Sequence, residues 1–202
     1  MARVGLLGGT FNPPHLGHLV CAQEALLQVG LDRVLLVPLG VAPHKVVEAD
    51  PGVAHRIAMS EAAVAGDERL GVSRADAERD GPSYTVDLLR GLGGADELTF
   101  IVGGDMAYSL PTWRDPEGVL ALARIAVAER EGLRRADISE RLAGLAGASD
   151  HVSFFEMPRI DISSSLIRSR AAAGQSLRYL VPDAVAAYIE REGLYRAGPS
   201  YP

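Results

Sequence analysis

Short apolar runs rich in β-branched residues alternate along this chain with longer Ala-, Leu-, Glu- and Arg-rich stretches, and this limits the fold more than any other feature. Residues 3–7, 33–38, 70–74, 98–102, 125–128 and 152–156 read as strands. Apolar positions recur with a helical period over 15–29, 53–65, 164–173 and 183–192, and Ser83 is placed to cap a helix over 84–92. Strands that are apolar throughout must be covered on both faces, so the alternation predicts a parallel sheet between two layers of helices. The expectation is one doubly wound α/β domain over residues 1–196, with a C-terminal helical segment. A peripheral helix and loop fill 130–150, and a frayed tail occupies 197–202. Sheets of this kind place their ligands at the carboxyl ends of the strands.

Composition excludes several function classes. A chain of 202 residues with 48% hydrophobic content has enough apolar side chain for a core without staples. Cys21 is the single cysteine, so no internal disulfide or CxxC zinc site can form. No apolar run approaches the ~18 residues of a membrane span, and the opening MARVGLLGG lacks the apolar core of a signal peptide. A formal charge of -6 argues against a general nucleic-acid surface. A cytoplasmic protein is expected, with a homo-oligomer left open. Of the 20 Lys and Arg residues only Lys45 is lysine, and Asn12 is the single asparagine. A lysine retained on such a background is a candidate for a site that needs a compact ammonium.

The first strand runs into Gly8-Gly9-Thr10-Phe11-Asn12-Pro13-Pro14-His15-Leu16-Gly17-His18. The glycines are expected to let the backbone turn sharply and approach a ligand. His15 and His18 stand three apart at a helix start, where free N–H groups favour phosphate. Neither GxGxxG nor GxxxxGK[ST] fits here. Near the C-terminus, Ile162-Ser163-Ser164-Ser165-Leu166-Ile167-Arg168 offers small hydroxyls and a cation at a second helix start. Each element has a plainer alternative: Ser163 or Ser164 as a helix cap, Trp113 and Tyr108 as core, Asp105 as a cap, Arg56 as a solvated charge or weak phosphate contact, and His151 as surface.

Taken together, GGTFNPPHLGH and ISSSLIR resemble the paired (H/T)xGH and ISSTxIR signatures of the nucleotidyltransferase superfamily. Pro43-His44-Lys45, Ser83-Tyr84-Thr85, Gly103-Gly104-Asp105 and Leu110-Pro111-Thr112-Trp113 narrow the resemblance to bacterial nicotinate-mononucleotide adenylyltransferases, from Val4 to about Tyr195. The resemblance implies a Rossmann-like fold and adenylyl transfer from ATP to nicotinate mononucleotide. It implies His15, His18, Lys45 and Arg168 as catalytic residues. Gly8, Gly9, Thr10, Phe11, His18, Gly103, Asp105, Ser163, Ser164, Ser165 and Arg168 would bind ATP. Lys45, Tyr84, Thr85, Tyr108 and Trp113 would bind the mononucleotide. Mg²⁺ would arrive with ATP, without a protein cage of its own. Another adenylyl- or cytidylyltransferase of the superfamily, or a non-catalytic nucleotide-binding regulator, are the alternatives. SYT with LPxW is not the pattern of the former, and the latter would not need both histidines and Arg168.

Overall fold

The computed structural model describes residues 1–41, 48–129 and 132–196; the tail at 197–202 and the segment holding Lys45 lie outside the described residues. Strand β1 (Arg3–Gly9) leads through α1 (Leu16–Val29) to β2 (Arg33–Pro38). Helix α2 (Val53–Val64) and β3 (Leu70–Val72) follow, and then α3 (Thr85–Gly91) and β4 (Glu97–Gly103). Helices α4 (Gly104–Ser109) and α5 (Pro116–Leu122) precede β5 (Arg124–Glu129). The chain ends with α6 (Arg135–Leu142), α7 (Ala148–His151), β6 (Val152–Glu156), α8 (Ser164–Ala172) and α9 (Asp183–Arg191).

The six strands among the described residues lie in the order β3-β2-β1-β4-β5-β6, and every neighbouring pair is parallel. The chain winds outward from β1 to β3, then crosses back to β4 and winds the other way. The order therefore reverses between β1 and β4, which opens a crevice at their carboxyl ends. Period-2 burial sorts each strand's side chains. Phe100 and Val102 join Val4 and Leu6 under α3, α5 and α6, while Ile101 joins Leu7 under α1. A third cluster, with Met59, Ile167, Val185 and Ile189 at its centre, packs α2, α8 and α9 together beside the sheet.

Several local expectations are corrected. Tyr84, not Ser83, is the N-cap residue of α3; the Ser83 hydroxyl instead accepts from the Val41 N–H at 3.2 Å. Asp105 sits in the first turn of α4 behind Gly103 and makes no cap hydrogen bond. Helices α4, α5 and α7 have 6, 7 and 4 residues, too short to show a period of 3.6. Only α5 carries a start signal, where Asp115 accepts from Gly118 N–H ahead of Pro116. His151 closes α7 and is half-buried instead of at the surface. Among the described residues no helix is long and apolar enough to cross a membrane.

Candidate active site

Two cavities meet at the carboxyl ends of β1 and β4. The larger, about 680 Å³, is lined by Gly8, Gly9, Thr10, His18, Tyr84, Thr85, Gly103 and Asp105 among others. The smaller, about 290 Å³, is lined by Thr10, Phe11, Asn12, His18, Glu48, Ser164, Ser165 and Arg168. Thr10 and His18 belong to both.

The glycines work differently from the sequence expectation. Both lie within the extended strand, and the sharp turn is made by Phe11, whose φ is 50°. A Cβ on Gly8 would stand 2.9 Å from the Phe100 ring, and one on Gly9 2.9 Å from the Phe11 ring. Glycine is needed there so that two aromatic rings can close over the strand end. Phe11 in turn sets its ring edge-on to His18, with centroids 5.0 Å apart.

His15 occupies the N-cap of α1 in extended backbone, and His18 is three residues on. The His15 N–H donates to His18 Nδ1 at 3.1 Å, and the rings lie 3.8 Å apart. An Nδ1 that accepts leaves Nε2 as the protonated, donating nitrogen of the neutral ring. His18 is thus oriented by backbone and wedged between two rings. His15 is 7% exposed and lines neither cavity; it supports His18 from beneath.

The three serines divide their work. Ser163 caps α8, accepting from Leu166 N–H at 3.2 Å, and lines neither cavity. The Ser164 hydroxyl donates to Pro13 O at 2.8 Å. Ser165 accepts from Arg168 Nη2 at 3.2 Å, and Arg168 Nη1 donates to Asn12 O at 2.9 Å. Helix α8 is clasped to the loop after β1, although about 150 residues of chain separate them.

The acceptor-side residues are only partly gathered. Tyr84 and Thr85 line the larger cavity at the start of α3, with the Arg114 guanidinium 4.8 Å over the Tyr84 ring. Trp113 lies behind the wall: its ring meets Phe100 edge-on at 6.1 Å, and its indole N–H donates to Ser109 at 3.0 Å. Tyr108 is 41% exposed beneath the Arg141 guanidinium and does not line the cavity. Lys45 lies outside the described residues.

Sequence reasoning missed three contributors. Arg56, read as a solvated charge or phosphate contact, has a side chain only 2% exposed. It donates to Thr10 O at 3.1 Å, Leu39 O at 2.6 Å, Gly40 O at 3.3 Å and Asp50 at 3.0 Å, bridging the loops that follow β1 and β2. Asp76 lies in an irregular turn without any motif, yet its buried carboxylate lines the larger cavity and accepts from Gly40 N–H at 2.8 Å. Asn12 stood in the Gly8–His18 segment as the chain's single asparagine with no role assigned to it; it is 2% exposed.

The crevice at the switch point joins a ring-fixed imidazole to a hydroxyl–guanidinium pocket, an arrangement suited to a polyphosphate. Residues 6–170 match the family model described as cytidylyltransferase-like. A protein of Thermomicrobium roseum named "Probable nicotinate-nucleotide adenylyltransferase" is 42% identical over 97% of this chain and 92% of its own length. A Roseiflexus protein of the same name is 42% identical over 96% of this chain and 98% of its own. In fold, the chain resembles the Plasmodium falciparum nicotinic acid mononucleotide adenylyltransferase solved with NaAD, at a TM-score of 0.76 and 16% identity. That match covers 96% of this chain and 98% of the other. The chain belongs to the cytidylyltransferase-like family and, within it, to the nicotinate-nucleotide adenylyltransferases.

Proposed function

We propose that the chain transfers the adenylyl group of ATP to nicotinate mononucleotide, releasing pyrophosphate, and that the transfer takes place beside His18. The observation that carries this assignment of parts is the position of His18 on the shared wall of the two cavities. The larger cavity suits the mononucleotide, with Tyr84 and Thr85 toward the pyridine ring. The smaller suits the polyphosphate, with Ser164, Ser165 and Arg168 against its oxygens.

The mononucleotide phosphate attacks the α-phosphorus of ATP in line, and the bond to the pyrophosphate oxygen breaks. The nucleophile is already an anion at neutral pH, so no side chain has to remove a proton. Catalysis then consists of alignment and stabilisation of charge on the transferring group. His18 Nε2–H donates to a non-bridging oxygen of that group, and Arg168 holds the leaving pyrophosphate. Asp105 lines the larger cavity, which on this reading takes the adenosine as well as the mononucleotide. Among the described residues no group of three or more His, Cys, Asp or Glu could hold a metal ion. Mg²⁺ enters this reaction as part of the substrate MgATP, bound mainly by phosphate and water.

Pyrophosphate release from MgATP, measured separately with nicotinate mononucleotide, nicotinamide mononucleotide, phosphopantetheine and glycerol 3-phosphate, tests the assignment. Turnover with the nicotinate acceptor far above the other three is the expected result. Preference for either non-pyridine acceptor would overturn it.

A further inference from the structure

We infer that the C-terminal segment is part of the ATP-binding apparatus: the Tyr195 hydroxyl, acting through Asn12, holds the loop after β1 in shape for the polyphosphate. This rests on the adenylyl-transfer reading above and deepens it. Residues 171–196 lie beyond the stretch that matches the family model, yet they reach the loop and the helix it feeds at two points. Leu180 O accepts from the Leu16 N–H at 3.1 Å, at the first residue of α1. The Tyr195 hydroxyl donates to Asn12 Oδ1 at 2.7 Å.

Asn12 passes that contact on. Its Nδ2 donates to Glu48 O at 3.0 Å, and its carbonyl accepts from Arg168 Nη1 at 2.9 Å. One buried asparagine therefore ties together the segment entering α2, the cation of α8 and the end of the chain. Asn12, Glu48 and Arg168 all line the smaller cavity, and Tyr195 does not. Tyr195 is a positioning residue. Its backbone sits in the left-handed region, with φ 63°, which is costly for an aromatic residue and persists only where surroundings over-determine it. Here the ring packs against the cluster of α2, α8 and α9, and the hydroxyl is bonded. Without that hydroxyl, Asn12 Oδ1 is a buried acceptor with no donor, and the amide can turn away from Glu48. The carbonyl gripped by Arg168 then loses its fixed place.

The test uses the full chain with MgATP and nicotinate mononucleotide. Tyr195→Phe keeps the ring and is expected to raise KM for ATP about tenfold, within the range for leaving one buried polar group unpaired. KM for the mononucleotide should move much less. Ile189→Val trims the same cluster from α9 without touching the loop; it should lower Tm and leave both KM values in place. Asn12→Ala combined with Tyr195→Phe should be no worse for ATP than Asn12→Ala alone, since Asn12→Ala already removes the contact that Tyr195→Phe breaks. Kd for MgATP, measured by equilibrium dialysis, reports the same shift without any turnover. An unchanged KM and Kd for ATP in Tyr195→Phe, or an equal rise in Ile189→Val, would overturn the inference. A wild-type chain that binds MgATP but turns over a different acceptor would overturn the assigned reaction and leave the dialysis comparison to decide this one.

Discussion

The orientation of the His18 ring follows from the partner of its Nδ1. Because Nδ1 accepts from the His15 N–H, the ring presents Nε2–H without having to gain a proton. His18→Ala should lower kcat by ~10²–10³, the scale for losing one charge-stabilising donor, while Tm shifts little at this half-buried position. Stopped-flow single-turnover rates with saturating MgATP check this, and a chemical step as fast as wild type would remove His18 from the reaction. Arg168 is a fork, one arm on Asn12 O and one on Ser165. Arg168→Lys keeps the charge but cannot span both, so KM for ATP should rise while KM for the acceptor holds. On the proposed placement the Thr85 hydroxyl, in the wall of the larger cavity, would bear on substrate choice. A donor there pairs with a carboxylate and is left facing the N–H of a carboxamide, so the acid should be preferred by ~10² or more in kcat/KM. Thr85→Val should narrow that gap. Trp113→Ala should weaken both acceptors in parallel, since Trp113 backs Phe100 and is not itself in the wall. Comparing kcat/KM for the two acceptors across wild type and both variants separates these roles.

Two loops that belong to different strands shape the crevice, and one side chain holds them at a fixed separation. The Arg56 guanidinium reads the carbonyls of Thr10, Leu39 and Gly40 and closes on Asp50. A charge buried at this level is stable only with all its partners. Arg56→Ala leaves three carbonyls without their donor and Asp50 to the solvent, and should cost about 1–3 kcal/mol, the range for buried polar groups left unpaired. Urea unfolding followed by circular dichroism measures it; a loss under about 1 kcal/mol would show that water replaces the guanidinium without strain. Nothing near Arg56 in the sequence signals this. A helix-opening His-Arg looks solvated, and its burial comes from Thr10 and Leu39, which are distant along the chain.

At the scale of the whole molecule, the sheet brings the parts of the site together and the C-terminal cluster holds one side of it. Burial pushes the Tyr195 phenol well above its usual 10.0. The folded chain therefore keeps that proton at pH values where the unfolded chain has lost it. The sign follows: the neutral hydroxyl contributes fully below pH 10, and the contribution falls away as pH rises beyond it. Thermal unfolding from pH 8 to 11 should show a decline in Tm above pH 10 that is shallower in Tyr195→Phe. Parallel curves for the two proteins would mean that Tyr195 ionises as freely in the folded state as in the unfolded one.

Strand positions, the main helices and the two segments that meet at the smaller cavity were legible in the sequence by itself. Each depends on local periodicity, on capping and breaking residues, or on side-chain chemistry concentrated within about ten residues. Gly8 to His18 and Ile162 to Arg168 announce themselves that way. Which of their side chains face a ligand was not legible. Ser163 turned inward as a cap, His15 became the support of His18, and Trp113 and Tyr108 stayed out of the cavity wall. What Arg56, Asp76 and Tyr195 do in the site depends on partners 16 to 183 residues away. A contact that closes so long a loop leaves no period or motif in the chain, because neither partner's neighbours need to change for it to form. The order of strands in the sheet decided those meetings, and the sheet itself is held by the apolar runs that the sequence displays from the start.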